Sequence, residues 1–486
     1  MTRQRRYGAA GTATFLATAL LLALAPPATA ITTLEGYSDM MTVLKSGVGG
    51  DPSWELENPR LYAELRLKTS PWTDIDTFLK VAAESSDWVD DVNDVDSKRT
   101  DLFLKEGHLR FRGDRVEAYL FTRQDRFWLN EPLLGVLDQG QVKDDSYGAR
   151  AQGIRLDFWD TYGLQGAFFY SDKSNGYDHR AGRVSRFFAE DRIVLGSTYA
   201  RADYQDFDEV IAFDGELAVG ELVPALRRFG RVTWATEYGR NTSRDSRYPG
   251  DDGRNGIKTE LRDVKVGPFR FLGSYEDIGT IFYTDELSSG DNRNKNGYTR
   301  YYAEAHYRVP TKAVNLKGWT YKEEPKAGPD AEEGTRKEWG TEAYLEFVNG
   351  FTGKVEYKYF ENRDGIWPNL FTEVTGENRL VKLVLQYRIK DMNADYELTA
   401  YGFGVNVNLS ENWKFYARVM NVDELTESRQ TAFAQLRYLG WSGAEFFVEF
   451  GNPDQSNDFV NDGDFVNHDS GATTEKVFKA FVRIYY

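Results

Sequence analysis

Cysteine is absent from the 486 residues. With no thiol there is no disulfide scaffold, no thiolate metal site, no cysteine nucleophile and no covalent haem attachment through C-x-x-C-H. Histidine is nearly absent too: His108, His179, His306 and His468 are the 4 present, and they are widely scattered. Past residue 30 no stretch approaches the ~18 consecutive apolar residues of a membrane-crossing helix. Mean hydropathy is −0.57 and the formal net charge is −16. Nothing in this balance points to a nucleic-acid partner.

The one long apolar run is N-terminal. Arg3, Arg5 and Arg6 form a basic start, Ala9 to Ala25 carries no charge, Pro26-Pro27 breaks it, and Ala28-Thr29-Ala30 is an A-x-A site. This is the pattern of a cleaved secretory signal, with the mature chain starting near Ile31. An exported, cysteine-free, hydrophilic chain still admits a membrane role. A transmembrane strand shows lipid only every second residue, so its average hydropathy is that of a soluble protein.

Aromatic residues are plentiful at 15%, with 29 Tyr, 31 Phe and 44 Gly. From Leu61 onward one unit repeats: about ten alternating residues, a short turn, another ten, then a longer polar stretch. Leu61, Ala63, Leu65 and Leu67 alternate with Tyr62, Glu64, Arg66 and Lys68. Trp413, Phe415, Ala417 and Val419 alternate with Lys414, Tyr416 and Arg418. Period two gives each strand one apolar and one polar face. Tight turns are expected at Gly113-Asp114, Asp160-Thr161, Gly267-Pro268, Pro310-Thr311, Leu409 to Glu411 and Gly440 to Ser442. Long polar loops are expected at Ser85 to Arg99, Asp125 to Ser146, Ser171 to Arg180, Asn241 to Gly256, Asp285 to Asn296, Glu323 to Lys337 and Gly451 to Thr474. Keeping the short turns on one rim requires two weaker strands, near Arg183 to Ala189 and Leu370 to Thr375.

The expected fold is all-β: a single large transmembrane antiparallel up-and-down β-barrel over residues 61–486, with an even count of about 18 to 24 strands. Residues 31–60 form an N-terminal segment with a candidate first strand. Soluble sandwiches also alternate, but so many similar strands without a linker would need two or three domains, and no boundary is visible.

The final residues carry a resemblance. Phe478, Ala480, Val482, Ile484 and Tyr486 alternate with Val477, Lys479, Phe481, Arg483 and Tyr485, and the chain stops on an aromatic. This resembles the closing strand of Gram-negative outer-membrane β-barrels, which the barrel-assembly machinery reads in that family. The resemblance implies an outer-membrane location, contact with outer-membrane lipid and lipopolysaccharide, and a porin-type channel for small hydrophilic solutes.

Parity then sorts the charges. Strand 298–309 sends Thr299, Tyr301, Ala303, Ala305, Tyr307 and Val309 outward, with Arg300, Glu304, His306 and Arg308 inward. By the same rule Arg110, Arg112, Glu342, Glu346, Lys354, Lys358, Lys382, Arg388, Lys414, Arg418 and Arg483 line the lumen. The inward bases of the C-terminal half, with Lys479, form a basic stripe beside Glu342, Glu346, Glu445 and Glu449. Such a stripe resembles the transverse field of a general-porin constriction and, more weakly, barrels that export acidic polysaccharide such as alginate. The segment from Arg123 to Leu134 mixes aromatics and charges before the apolar run Leu133 to Leu137. It is read either as a constriction folded into the lumen or as an extracellular hairpin.

Other functions fit less well. Outer-membrane enzymes resemble smaller barrels, and neither His108 nor His306 sits in a recognisable nucleophile motif, so no catalytic residue is expected. No cofactor or metal site is expected either, since the acidic runs Asp87 to Asp96 and Asp454 to Asp469 lack EF-hand spacing. A TonB-dependent receptor would need a plug of over a hundred residues, where only about thirty precede Leu61. A sheath around a cytochrome partner and a soluble β-rich binding protein complete the alternatives. Homo-oligomer and monomer share this patterning.

Overall fold

A computed structural model describes residues 31–46, 54–56, 60–85, 100–122, 129, 133–136, 152–173, 177–203, 207–243, 253–283, 287, 296–309, 314–326, 334–348, 350–392, 397–423, 428–452 and 476–486. The expected signal segment, both acidic runs and the Pro310-Thr311 turn lie outside the described residues.

All 25 strands belong to one sheet. They are β1 (Ile31–Ser46), β2 (Trp54–Leu56), β3 (Arg60–Trp72), β4 (Ile75–Ser85), β5 (Thr100–Arg112), β6 (Val116–Thr122), β7 (Gln152–Thr161) and β8 (Leu164–Lys173). Then come β9 (Tyr177–Phe188), β10 (Ile193–Asp203), β11 (Phe207–Ala218), β12 (Thr233–Asn241), β13 (Asn255–Val266), β14 (Phe269–Ile278), β15 (Tyr298–Val309) and β16 (Val314–Pro325). The last are β17 (Arg336–Val348), β18 (Phe351–Asn362), β19 (Gly365–Glu377), β20 (Val381–Lys390), β21 (Leu398–Asn408), β22 (Trp413–Asp423), β23 (Ser428–Trp441), β24 (Ala444–Gly451) and β25 (Val477–Tyr485). Short β2 only extends β1, pairing at Leu44 to Ser46. The other 24 close into an antiparallel up-and-down barrel.

Closure falls on β1, which lies in the segment that offered only a candidate first strand. It pairs antiparallel with β3 on one side and β25 on the other. Among the described residues the barrel therefore begins with β1 at Ile31, ahead of Leu61. Both weaker strands are real: Arg183 lies in β9 and Leu370 in β19.

The two faces of each strand differ as period two requires. Leu65, Leu195, Phe213, Trp234, Val355 and Phe450 stand exposed on one face. The opposite face carries ion pairs and most of the buried side chains. A closed, curved sheet crowds its concave side, so the ion-paired face is the inner one. Large outward aromatics gather near the rims; Trp339 stacks on Tyr359 at 5.4 Å, and Trp413 meets Tyr438 at 4.6 Å.

The short-turn rim behaves as expected, with some one- or two-residue displacements. The β7–β8 turn is Tyr162-Gly163, both at positive φ (57° and 73°), the backbone of a two-residue type I′ hairpin. One connection on this rim is not tight: between β11 and β12 sit α1 (Val219–Leu222) and a 3-10 turn, Pro224–Phe229. At the other rim, strands extend into two expected long loops. β8 and β9 run through Ser171 to Arg180 apart from residues 174–176, and β16 and β17 run into Glu323 to Lys337. Polar composition misleads there because ladder pairing does not stop where the apolar band ends. Outward polar groups above it pair with each other, as Tyr170 does with Asp178 at 3.2 Å.

The seam carries a bidentate ion pair: Arg483 Nε and Nη2 donate to Asp39 Oδ1 and Oδ2 at 2.7 and 2.8 Å. Asp39→Ala leaves a part-buried guanidinium without its anion, costing about 1.5–3 kcal/mol. The expected result is a lower temperature for loss of the folded, heat-modifiable gel band. Asp39→Ala combined with Arg483→Met should restore part of it. Equal melting of wild type and Asp39→Ala would show that this pair does not secure the seam.

Candidate functional site

The inner wall is the functional surface, and it divides into three regions. Over β13 to β18 it is a chain of acid–base contacts. Lys258 meets Glu276 at 2.7 Å, and Arg300 bridges Glu276 and Glu323. Arg336 adds to Glu323 at 3.4 Å. Glu304 takes Lys317 at 2.8 Å together with His306 and Tyr302. Lys354 lies between Glu342 (3.2 Å) and Glu356 (3.3 Å), and Glu356 also holds Lys358 at 2.6 Å.

The other expected lumen residues occupy the same face with different neighbours. Arg110 and Arg112 converge on Asp76 and Glu117. Arg388 lies over the Phe371 ring at 4.7 Å, and buried Arg418 lies 5.3 Å from the Phe433 ring. Lys414 stands beside Arg437 in register, which in turn pairs with Glu445. Lys382 shares this face on β20, two residues from buried Val384. Arg308 is exposed near the short-turn end of β15, and Glu346 is exposed at the β17 bulge. The arrangement therefore differs from a basic stripe facing separate acids. On β14 to β16 bases and acids face each other across the ladders, as Arg300 does Glu276 and Glu323, which favours the pairing.

Between β8 and β12 the wall changes character. Its inward positions include Ala167, Ala181, Ala200, Ala202, Val210 and Ala212, all buried. Two connections at the long-loop rim fold in and cover them. Leu129, Leu134 and Val136 come from the β6–β7 connection, and Phe282, Tyr283 and Leu287 from the β14–β15 connection; with the alanines they form one buried cluster. The described part of the segment from Arg123 to Leu134 is thus inside the barrel. The wall is built to receive these groups. A Cβ on Gly239 or Gly256 would lie 2.8–2.9 Å from the Phe282 ring.

Polar contacts fix the inserted segment. Glu237 Oε2 accepts the backbone N–H groups of Leu133 (2.9 Å) and Leu134 (2.8 Å), and Tyr283 Oη donates to the Leu134 carbonyl at 2.7 Å. Below it, Arg183 and Asp214 form a buried bidentate pair, Nη2 to Oδ1 at 2.8 Å. Removing one partner of such a pair costs about 3–5 kcal/mol. A cavity of about 450 Å³ opens there, bordered by Leu129, Arg155, Asp157, Arg183, Asp214 and Glu216.

Sequence reading missed the contribution of Phe282, Tyr283 and Leu287. The signal lay on the wall rather than the loop: Ala167, Ala181, Ala200, Ala202 and Ala212 put short side chains at neighbouring inward positions, which leaves room for an insertion. His108 packs against Phe78 (5.4 Å) and Tyr119 (6.1 Å).

This is the architecture of the outer-membrane β-barrels: a closed ring, an apolar outer belt, and a polar interior with inserted loops. No family model and no curated protein matches the sequence. Solved structures do match in shape. The chain is similar to an Escherichia coli P pilus tip assembly intermediate, PapC-PapD-PapK-PapG, with a TM-score of 0.59 at 7% identity over 93% of this chain and 60% of that one. It is also similar to the P pilus usher PapC translocation pore (TM-score 0.45, 8% identity, 93% and 99% covered). A third likeness is to a BenF-like porin from Pseudomonas fluorescens Pf-5 (TM-score 0.38, 12% identity, 75% and 99% covered). At 7% identity the first of these likenesses shows the fold alone.

Glu237→Ala leaves two backbone donors buried without an acceptor, at about 1–3 kcal/mol each. Amide hydrogen exchange at Leu133 and Leu134 should accelerate at least about tenfold while the barrel ladders stay protected. Unchanged exchange at both amides would rule out Glu237 as the anchor.

Proposed function

We propose that the chain is an outer-membrane channel through which small hydrophilic solutes diffuse passively. One observation carries this reading: a closed 24-strand ring with an apolar outer belt and a charged, acid–base-balanced inner wall. Rings of 16–18 strands already enclose an aqueous channel, so this circumference leaves water beside the inserted segments. The outer belt fits a bilayer containing lipopolysaccharide, and the strand ending at Tyr486 fits recognition by the assembly machinery. A dedicated polyanion channel is disfavoured, because over β13 to β18 carboxylates are interleaved with the inner bases and interrupt any continuous basic track. We assign no catalytic role to His108 or His306; each is occupied by ring or carboxylate contacts.

Refolded protein in a planar bilayer should give discrete conductance steps with weak ion selectivity. Changing the exposed lumen cations Arg308 and Lys414 to Glu should shift the reversal potential toward cation preference. Glu237→Ala should raise single-channel conductance by loosening the inserted segment. An intact, heat-modifiable barrel that gives no steps overturns the channel reading.

A further inference from the structure

We infer that the inner wall of β16 to β19 is a binding track for neutral oligosaccharide, a substrate class that rests on the channel reading above. The inference starts from Trp319. Its register partner across the ladder is Gly340, and a Cβ there would lie 2.6 Å from the indole Cε2. The ring therefore lies flat along the wall, one face on the β17 backbone and the other toward the lumen. A flat, half-buried indole is a broad apolar platform in an otherwise ionic surface.

The groups around the ring are polar and already oriented. Indole Nε1 donates to Glu338 Oε1 at 2.7 Å, which fixes the ring and places a carboxylate at its edge. Lys317 and Lys358 stand 5.5 and 6.0 Å from the ring centroid, at the outer limit of a cation–π contact. Each is held by its own carboxylate, Lys317 by Glu304 at 2.8 Å and Lys358 by Glu356 at 2.6 Å. Both ammonium groups therefore stand over the indole as fixed donors. A second aromatic pair, Phe360 and Trp367 with centroids 5.8 Å apart, sits two residues above Lys358, about 7 Å along the strand.

Apolar ring faces bordered by fixed donors and acceptors match a pyranose, whose C–H face is apolar and whose rim carries hydroxyls that both donate and accept. Two platforms one above the other suit a chain of sugars rather than a single ring. Charge decides between neutral and acidic sugars. The bases of this region have carboxylate partners, so a uronate would gain no free cation and would meet Glu338 and Glu356.

The test uses the refolded full chain in two measurements: interruption of channel current by maltohexaose, and maltohexaose titration of intrinsic fluorescence in detergent. Both should saturate. Trp319→Ala should weaken binding about tenfold. Gly340→Ala, which keeps the indole but lifts it from the wall, should do the same, with heat-modifiable migration reporting an intact barrel for both variants. Conductance steps with no maltohexaose response in either measurement overturn the track and leave the channel reading standing. Fluorescence binding that depends on Trp319, without conductance, supports the track while the channel reading falls. Unchanged affinity in both folded variants, or tighter binding of an oligogalacturonate than of maltohexaose, overturns the inference.

Discussion

The ladder between β25 and β1 is the contact on which the rest of the molecule depends. Inside hydrocarbon an unpaired backbone group has no water to turn to, so an open sheet edge is not tolerated. Nine register pairs, from Tyr37↔Tyr485 to Lys45↔Val477, remove that edge. Because the seam and every other ladder are antiparallel, only an even ring can close. Parity is then carried from strand to strand without a break: a residue's position in its ladder decides whether it meets lipid or the interior. Arg483 and Asp39 sit on the same face as Arg300 and Glu323, at distant points of the ring.

Inside the ring the problem is crowding. A concave wall brings long side chains together, and charges placed there are held by neighbours rather than by bulk water. The structure resolves this in two ways. On β13 to β18 it interleaves acids and bases, so that Lys258, Arg300, Lys317 and Lys354 each reach a carboxylate on a neighbouring strand. On β8 to β12 it sets a patch of alanines and glycines toward the long-loop rim and fills the space with Leu134, Val136, Phe282 and Tyr283. The same small residues give the inserted segments a surface to pack on. The polar anchor is then a wall residue, Glu237, rather than anything in the loop.

The sequence made the architecture legible because period two is a direct consequence of closure. Leu195, Phe213 and Val355 face outward wherever the strand is paired, whatever its exact ends. Strand ends were less legible: residues near Asp178 and Glu324 are polar on both faces, yet they pair, since above the apolar belt both faces meet water. β1 was only half visible because its outward positions include Gly36 and Ser38, too small and polar to mark a lipid face. For the interior, parity located Arg300, Lys354 and Arg418 but not their partners. Partner choice depends on which strands are neighbours and on register, and no local pattern encodes either. The inserted residues Phe282 and Tyr283 were hidden because a loop's direction is set by the wall it lands on.

One rule links the outer belt, the inserted segments and the Trp319 platform. Aromatic side chains repeatedly stand in register with a glycine on the adjacent strand: Phe158 with Gly166, Phe168 with Gly182, Phe351 with Gly376, and Trp319 with Gly340. Glycine alone weakens a strand, and a cross-strand ring restores the lost packing by lying over the bare backbone. On the outer face this yields a smooth apolar surface for acyl chains. On the inner face the same pairing lays a ring flat against a wet wall, where a freestanding indole would project into the lumen and obstruct it. The pairing that stabilises the sheet thus also determines whether an inward aromatic blocks the passage or surfaces it.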